Sequence, residues 1–264
     1  MKRLFYFLFF LSFNFGFSQS KIIAVTKLDF ITLKTDKFIG FDGFNNCFYS
    51  DENVLFKKSD SLSLQYQNLS LGKITKVDIL NPLKIIVFYE EFNSVIILDN
   101  QLNEIQKIDF SNLETPIIVS AIGISGQNKL WVFNSLNQQI GLYDLITNQF
   151  KNLGIPIKEG FNYYQTDFNY FQWIDKQQKW NTCTIFGRVF QNASLDFNYN
   201  NIQLLNENKI LFSDHNLLYF KDKNTSRTYQ IEIVEKSFKN FYYKDQILSI
   251  FTDKGITNYK IILP

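Results

Sequence analysis

Histidine is nearly absent from this sequence, which contains His215 and no other. A zinc site built from several histidines is therefore excluded, and a Ser-His-Asp triad would have to form around this one residue. His215 lies in Asp214-His215-Asn216, a composition typical of a solvated turn. The sequence also lacks a Gly-rich phosphate loop, an EF-hand-like acidic loop and a G-x-S-x-G nucleophile elbow. It predicts no cofactor, no metal site and no catalytic constellation.

Cysteine, proline and glycine are scarce as well, with 2 Cys, 4 Pro and 11 Gly in 264 residues. So few Pro and Gly residues exclude a long flexible linker or a disordered tract. Neither sign of charge is in large excess, since the sequence has 27 Lys and Arg residues and 25 Asp and Glu residues. That balance excludes the basic footprint of a nucleic-acid-binding protein.

Long apolar runs are missing except at the N-terminus. Met1-Lys2-Arg3 is followed by the apolar stretch Leu4 to Phe13, and Gly16 and Ser18 stand three and one places before Gln19. This pattern predicts a secretory signal peptide over residues 1–18, cleaved between Ser18 and Gln19. The alternative is an uncleaved anchor, although the run is shorter than the about 20 residues that a membrane-spanning helix needs.

Cleavage at this point determines the expected location of the mature chain. It removes two basic residues and no acidic one, which leaves 25 of each sign. No cysteine lies near the cleavage site to carry a lipid, and no later stretch is long and apolar enough to span a membrane. The mature chain, residues 19–264, is therefore expected to be one soluble domain in the periplasm or at the cell surface, and not a lipoprotein.

Aromatic residues, in contrast, are abundant, with 29 Phe and 14 Tyr, and they favour strands. A unit of short strand, apolar strand, polar turn and second apolar strand recurs six times. The polar turns begin at Ser50, Glu90, Asn134, Asp175, Ser213 and Thr252, with spacings of 40, 44, 41, 38 and 39 residues. A period near 40 with four strands per unit is typical of β-propeller blades. The fourth unit is the least regular, and its third strand is predicted over residues 182–186.

The two ends of the chain complement each other. The sixth unit has three strands, the last over residues 256–263, and then the chain ends. Two spare strands, residues 22–25 and 30–33, precede the first unit. An N-terminal strand that completes the last blade would close the ring and remove two exposed edges. We therefore predict an all-β, six-bladed β-propeller. The alternative, a sandwich or barrel pair, has shorter turn spacing and would not produce six equal units.

Over residues 21–264 the chain resembles the β-propeller superfamily in its blade pattern, and it is similar to the divergent propellers of bacterial cell envelopes. It lacks the Gly-His and Trp-Asp signatures of WD40 repeats, the di-glycines of kelch repeats and the sialidase boxes. The resemblance implies a role in the cell envelope, with assistance in outer-membrane protein assembly as one example. It carries over no functional residue.

A ring places Cys47 in the first blade and Cys183 in the fourth, on opposite sides of the axis. A disulfide needs Cα atoms within about 7 Å of each other. We therefore predict two free, buried thiols that act as small apolar side chains.

The turns between the second and third strands of the six blades are predicted to lie on one face of the ring, which we name the turn face. These turns contain seven acidic residues and two basic ones. Turn chemistry alone favours Asp, Asn and Ser, so each residue also has a purely structural interpretation. The candidate binding residues on this face are Asp51, Glu52, Glu90, Glu91, Asp175, Asp214, His215 and Asp253.

A second candidate surface is aromatic. Eight Phe, Tyr and Trp residues crowd into residues 161–180. They are expected to fill the space between blades, or to form a platform for a sugar ring or an apolar protein anchor at Tyr164, Trp173 and Trp180.

Paired carboxylates are the remaining route to catalysis, because a glycosidase needs two of them. The strands nearest the axis offer Asp42, Asp78 and Asp167. The sequence therefore favours a non-catalytic interaction scaffold whose partner is another envelope protein. A carbohydrate-binding or glycosidase-like propeller is the alternative that the residues leave open.

Overall fold

A computed structural model describes residues 21–264, which form 25 β-strands and two single 3-10 turns, Glu90–Phe92 and Phe110–Asn112. Within these residues no helix is long and apolar enough to cross a membrane. The predicted signal peptide and its cleavage site at Ser18 and Gln19 lie outside the described residues.

The strands form six sheets arranged as blades. Strands β1 (Lys21–Ala24) and β2 (Thr26–Thr32) come first in the chain. Blade one contains β3 (Lys37–Phe41), β4 (Cys47–Asp51), β5 (Val54–Lys58) and β6 (Ser63–Tyr66); blade two contains β7 (Lys76–Asp78), β8 (Ile85–Tyr89), β9 (Ser94–Leu98) and β10 (Glu104–Asp109); blade three contains β11 (Val119–Ser125), β12 (Lys129–Asn134), β13 (Gln139–Asp144) and β14 (Gln149–Leu153).

The second half of the ring repeats this order. Blade four contains β15 (Phe161–Thr166), β16 (Tyr170–Asp175), β17 (Lys179–Thr184) and β18 (Val189–Ser194); blade five contains β19 (Asn201–Leu204), β20 (Lys209–Asp214), β21 (Leu217–Asp222) and β22 (Arg227–Glu232); blade six contains β23 (Asn240–Lys244), β24 (Ile247–Thr252) and β25 (Gly255–Lys260). The first strand of each blade is the innermost, so that β11 lies against β15, and β23 lies against β19 and β3. The prediction of a six-bladed propeller is confirmed.

Ring closure also occurs as predicted. Strand β2 pairs antiparallel with β25, from Thr26 opposite Lys260 to Thr32 opposite Gly255, and becomes the fourth strand of blade six. The other N-terminal strand, β1, does not join blade six. Strand β1 pairs in parallel with β22 and gives blade five a fifth strand. Since β2 already occupies the edge of blade six, β1, which directly precedes β2 in the chain, pairs with the outer strand of the neighbouring blade five.

Several strand limits need correction. The N-terminal strands are Lys21–Ala24 and Thr26–Thr32, where we predicted residues 22–25 and 30–33, and β25 ends at Lys260, where we predicted residue 263. The third strand of blade four, β17, begins at Lys179 and ends at Thr184, whereas we predicted residues 182–186. The carboxylate of Asp175 accepts the backbone N–H groups of Gln177 (2.9 Å) and Lys179 (2.8 Å). These bonds close the turn early, so that the strand starts three residues sooner.

The core consists of apolar clusters between neighbouring blades. Between blades three and four, Trp131 and Phe133 pack against Phe171 and Trp173. Full burial of such a side chain contributes roughly 2–3 kcal/mol, so these clusters hold the blades together.

Amide side chains near the axis add polar ties between blades. Gln165 Nε2 donates to Leu204 O (2.7 Å), and Leu204 N donates back to Gln165 Oε1 (3.0 Å). Gln203 forms the same pair of bonds with Tyr243, at 2.7 and 2.8 Å. Each glutamine thus forms hydrogen bonds with a backbone N–H and C=O on the innermost strand of the next blade, as a neighbouring strand would.

The two cysteines lie in blades one and four, and both are free and buried, as predicted. Burial raises the pKa of Cys47 to about 12 and the pKa of Cys183 to about 11. Because the thiolate is the reactive form, both thiols are expected to be inert in the folded protein near neutral pH.

Alkylation checks this expectation. Iodoacetamide at pH 8 should add nothing to the native protein and should modify both Cys47 and Cys183 once the chain is denatured without a reductant. Intact mass spectrometry measures the number of adducts, and a parallel sample with reductant defines the maximum. If the denatured protein gains adducts only when a reductant is present, Cys47 and Cys183 form a disulfide. That result would contradict their assignment to opposite blades.

Candidate functional site

The turn face has a fixed backbone, because each turn between the second and third strands is hydrogen-bonded to the connectors beside it. In blade one, Asn53 Nδ2 donates to Gly72 O (2.8 Å), and Ile74 N donates to Asn53 Oδ1 (2.7 Å). Asn93 holds the connector at residues 117–119 in the same way, at 2.7 and 2.9 Å. The face is therefore a rigid platform on which loop side chains are presented.

The predicted acidic residues lie on this face but do not form one cluster. They are spread over five blades: Asp51 and Glu52 on blade one, Glu90 and Glu91 on blade two, Asp175 on blade four, Asp214 and His215 on blade five, and Asp253 on blade six. Two of the carboxylates stabilise turns. Asp51 Oδ1 accepts from Asp36 N (3.1 Å), and Asp175 closes its own turn.

The charged groups on blades five and six pair within the protein. His215 Nδ1 lies 2.8 Å from Asp214 Oδ1, with the His215 side chain 89% exposed. Asp253 pairs with Lys239 at 2.7 Å. In the described part of the chain, Glu52, Glu90 and Glu91 take part in no ion pair, so they are the exposed candidate residues whose carboxylates are unpaired.

The predicted aromatic platform is wrong for both tryptophans. Trp180 is 0% exposed and Trp173 is 4% exposed, because both lie in the clusters on either side of blade four. Trp180 Nε1 donates to the buried Gln172 Oε1 (3.0 Å). Neither indole has a face available to a sugar or a protein anchor.

Tyr164 does not complete a platform either. One face of its ring stacks on Phe171, with centroids 5.5 Å apart and an interplanar angle of 8°. The Lys76 ammonium covers the other face, 3.7 Å from the ring centroid. Its hydroxyl accepts from Ile122 N (3.2 Å). Tyr164 therefore links blades two, three and four.

The three carboxylates near the axis are held by the fold. Asp42 accepts three hydrogen bonds in the turn after β3 and lies 3.8 Å from the buried Lys57 ammonium. Asp78 accepts from Leu80 N and Ile124 N, both at 2.9 Å. Asp167 accepts from two backbone N–H groups at 2.8 Å, while partial burial raises its pKa above the usual range. Each carboxylate thus has a structural role.

The turn face also has an exposed apolar surface that we did not predict from the sequence, and we name it the apolar arc. It consists of Phe92, Ile118, Leu136 and Ile155, whose exposed fractions are 49%, 49%, 63% and 74%. These residues alternate between turns and connectors around blades two to four. The signal was present in the sequence, because each is a large apolar residue within a segment predicted to be a polar turn or connector.

Hydrogen bonds join the turns and connectors that carry the arc. Asn93, next to Phe92, bonds the connector that carries Ile118, and Ser135 N donates to Ile118 O (2.8 Å). Gln139 Nε2 reaches Gly154 O (3.5 Å), beside Ile155. Glu90, Glu91 and Glu114 border the blade-two end of the arc, and residues 134–138 of blade three carry no charge. The arc is therefore apolar along its length and acidic at one end.

Within residues 21–264, no group of three or more His, Cys, Asp or Glu side chains is arranged to hold a metal ion. Two open cavities lie on the turn face. The larger, of about 720 Å³, lies between blades one and two, and the smaller, of about 330 Å³, lies beside His215 and Lys239.

No family model matches the chain, and no curated protein has a significantly similar sequence. Solved structures do share its fold. Virginiamycin B lyase from Staphylococcus aureus is similar with a TM-score of 0.57 and 11% identity, over 91% of this chain and 94% of that one. BamB from Moraxella catarrhalis is similar with a TM-score of 0.51 and 10% identity, over 90% and 100% of the two chains.

A third similar structure is the extracellular domain of a one-component system from B. thetaiotaomicron, with a TM-score of 0.51 and 13% identity. The similarity covers 85% of this chain and 33% of that one. At such identities the similarity shows the fold alone: the chain is a six-bladed β-propeller. Since the similar structures include a lyase and an extracellular domain, the fold does not distinguish an enzyme from a binding protein.

Proposed function

We propose that this protein is an exported, non-catalytic β-propeller that serves as a protein-interaction platform in the cell envelope. The observation that carries the proposal is the apolar arc on a face whose backbone is fixed. Isolated exposed apolar residues are ordinary, but a row of them on neighbouring segments of one face, rimmed by polar groups, is typical of a protein-binding surface. The signal-peptide pattern at the N-terminus supports export.

The chemistry of the arc defines the partner that it fits. Phe92 and Leu136 offer apolar contact area, and Glu90, Glu91 and Glu114 add negative charge at the blade-two end. A matching partner presents apolar side chains flanked by Lys or Arg. Such an arrangement steers association through opposite charges and gains its affinity from the buried apolar contacts.

The non-catalytic part of the proposal rests on how the candidate catalytic groups are used. His215 is a solvent-exposed turn residue, and Asp42, Asp78 and Asp167 are each bonded to backbone N–H groups. A general acid or base has to be positioned toward a substrate that it can reach. These side chains instead hold the turns and blades in place.

A substitution at the centre of the arc tests the proposal. Leu136→Asp should lower the recovery of the crosslinked partner about tenfold, because it places a charge in a contact whose loss costs more than 1 kcal/mol. The measurement is crosslinking of the tagged protein in its native envelope, followed by quantitative mass spectrometry.

Ile146→Asp is the matched control. Ile146 belongs to the same blade and is 73% exposed, but it lies in the turn between β13 and β14, at the opposite end of the sheet. Partner recovery should equal that of the unsubstituted protein. Equal recovery with both variants would contradict the arc as the docking surface, and a soluble glycan that raises the melting temperature would favour the carbohydrate-binding alternative.

A further inference from the structure

Three lysines, which we name the lysine cluster, meet at the axial end of the turn face. Lys37 is the first residue of β3, and Lys76 is the first residue of β7. Both strands are innermost in their blades and enter from the turn face, so both side chains begin beside the mouth of the axis. Lys73 lies in the connector just before β7. The ring therefore brings together positive charges from two blades.

Lys76 is fixed by an aromatic ring across the axis. Its ammonium lies 3.7 Å from the ring centroid of Tyr164, a distance typical of a cation–π contact. Tyr164 belongs to blade four, so Lys76 reaches past the innermost strand of blade three. That strand has Gly123, where a Cβ atom would overlap Thr166 Oγ1 and would lie 2.9 Å from Asp78 Oδ2. The missing side chain lets blades two and four approach each other.

The cluster has no anionic partner within the described residues. The four ion pairs in residues 21–264 involve Lys57, His215, Lys221 and Lys239, and none involves a member of the cluster. Desolvation, followed by the charges of Lys76 and Lys73, holds the pKa of Lys37 below its usual range. The positive charges of Lys76 and Lys73 thus disfavour the charged form of Lys37, and an anion beside Lys37 would offset that repulsion.

A cavity is present for such an anion. The cavity of about 720 Å³ between blades one and two is lined by the basic residues Lys37 and Lys73 and by the acidic residues Asp36, Glu90 and Glu91. The neutral lining groups are Ser50, Asn53, Ile74 and Thr75. This cavity adjoins the apolar arc, because Glu91, which lines the cavity, directly precedes Phe92 in the chain.

We propose that the lysine cluster binds a carboxylate of a protein partner, either an acidic side chain or a C-terminal carboxylate, while the rest of the partner covers the apolar arc. The inference rests on the proposed function, since it specifies the partner of the same face. The carboxylate lies in the cavity beside Lys37 and Lys73, and a basic residue of the same partner faces Glu90 and Glu91. Such a partner carries both signs of charge, as the cavity does.

The surroundings favour a peptide over an acidic glycan. Sugar rings bind proteins by stacking on open aromatic faces, as well as through hydrogen bonds. Both faces of Tyr164 are covered, and Trp173 and Trp180 are buried.

The test uses the purified protein and synthetic ligands. Isothermal titration calorimetry at low salt should detect acetyl-triglutamate amide and should detect no binding of the uncharged acetyl-triglutamine amide. In the double variant K37Q/K73Q the dissociation constant for triglutamate should rise at least about tenfold, because two of the three cations are removed. Both side chains are exposed, so the fold should be retained.

The control variant K107Q/K151Q removes the same charge from exposed lysines of β10 and β14, away from the cavity. It should bind triglutamate as the unsubstituted protein does. Equal weakening in both double variants would overturn the proposal in favour of non-specific charge attraction. Tighter binding of trigalacturonate than of triglutamate would overturn it in favour of a glycan.

These outcomes are separate from partner capture. If triglutamate binding fails while Leu136→Asp still abolishes capture, the carboxylate site is wrong and the interaction platform stands. If triglutamate binds but capture is insensitive to Leu136→Asp, the anion site is real and the proposed docking surface is wrong.

Discussion

Replacing Lys57 with methionine is expected to lower the free energy of unfolding by about 3–5 kcal/mol, because it leaves the buried Asp42 carboxylate without its cation. The side chains of Lys57 and Asp42 are 3% and 0% exposed, and Nζ lies 3.8 Å from Oδ2. Lys57 Nζ also donates to Asn100 O (2.7 Å), which ties blade one to an outer turn of blade two. The substitution therefore removes a charge partner and a bond between blades together.

A double variant separates these effects from a simple packing defect. In K57M/D42N the charge at position 42 is gone, while the asparagine oxygen can still accept from Phe44 N and Asn46 N. Urea unfolding should place the double variant within about 2 kcal/mol of the unsubstituted protein, since paired buried charges can often be replaced by neutral groups at little cost. A double variant as unstable as K57M would show that packing, and not the unpaired charge, explains the loss.

The exposed ion pair between Lys239 and Asp253 is the control for the distance between the two charges. Its atoms are closer, at 2.7 Å, but the two side chains are 46% and 85% exposed. Lys239→Met should change the unfolding free energy by no more than about 1 kcal/mol, because water screens an exposed pair. The ion pair with the shorter distance is thus expected to contribute less to stability. A larger loss of unfolding free energy in Lys57→Met than in Lys239→Met would therefore be due to burial and not to distance.

The ring could be predicted from the sequence because its signals are local. Each blade repeats apolar strands and polar turns at a spacing near 40 residues, and a turn forms from its own few residues. The missing strand of blade six and the spare strands before blade one could be matched by counting alone, although β2 spans Thr26–Thr32 and not the predicted residues 30–33. The separation of Cys47 from Cys183 followed directly from that count.

The partner strand of β1 and the exposure of the aromatic residues could not be predicted in this way. Which edge accepts β1 depends on which edge is still open once β2 has closed blade six, and that is a property of the assembled ring. Trp173 and Trp180 follow the same strand alternation as their neighbours, so the sequence does not distinguish an aromatic residue between blades from one on the surface. Both are buried because blade four packs on blades three and five.

The candidate site was predicted in part. The turn face and its acidic residues follow from turn composition, whereas the lysine cluster combines residues from different blades. Lys37 and Lys76 are separated by a whole blade in the sequence, and only ring geometry places both at the axis. The apolar arc was detectable as apolar residues in turn segments, but its continuity depends on connectors that pass beside each turn.

Gly255→Ala is expected to destabilise the protein by about 3 kcal/mol or more and to loosen the closure of the ring. Gly255 begins β25 with φ at +144°, a conformation that side-chain-bearing residues rarely adopt. It pairs with Thr32 of β2, the strand that completes blade six. A Cβ atom here would overlap Ile31 O and lie 2.9 Å from Leu33 N. Backbone atoms cannot rotate away as a side chain can, so β2 would have to move.

Gly160→Ala separates this steric effect from backbone strain. Gly160 also has a positive φ, of +67°, but a Cβ atom there would meet nothing within 4 Å. It should cost about 1 kcal/mol, the strain of a left-handed conformation without a clash. Urea unfolding measures both variants, and limited proteolysis followed by mass spectrometry locates any opening. Cleavage of Gly255→Ala within residues 26–36, ahead of the other connectors, would show that the N-terminal strand closes the ring. Equal stability of the two glycine variants would mean that β2 adjusts freely, and the closure would then contribute little to holding the turn face in place.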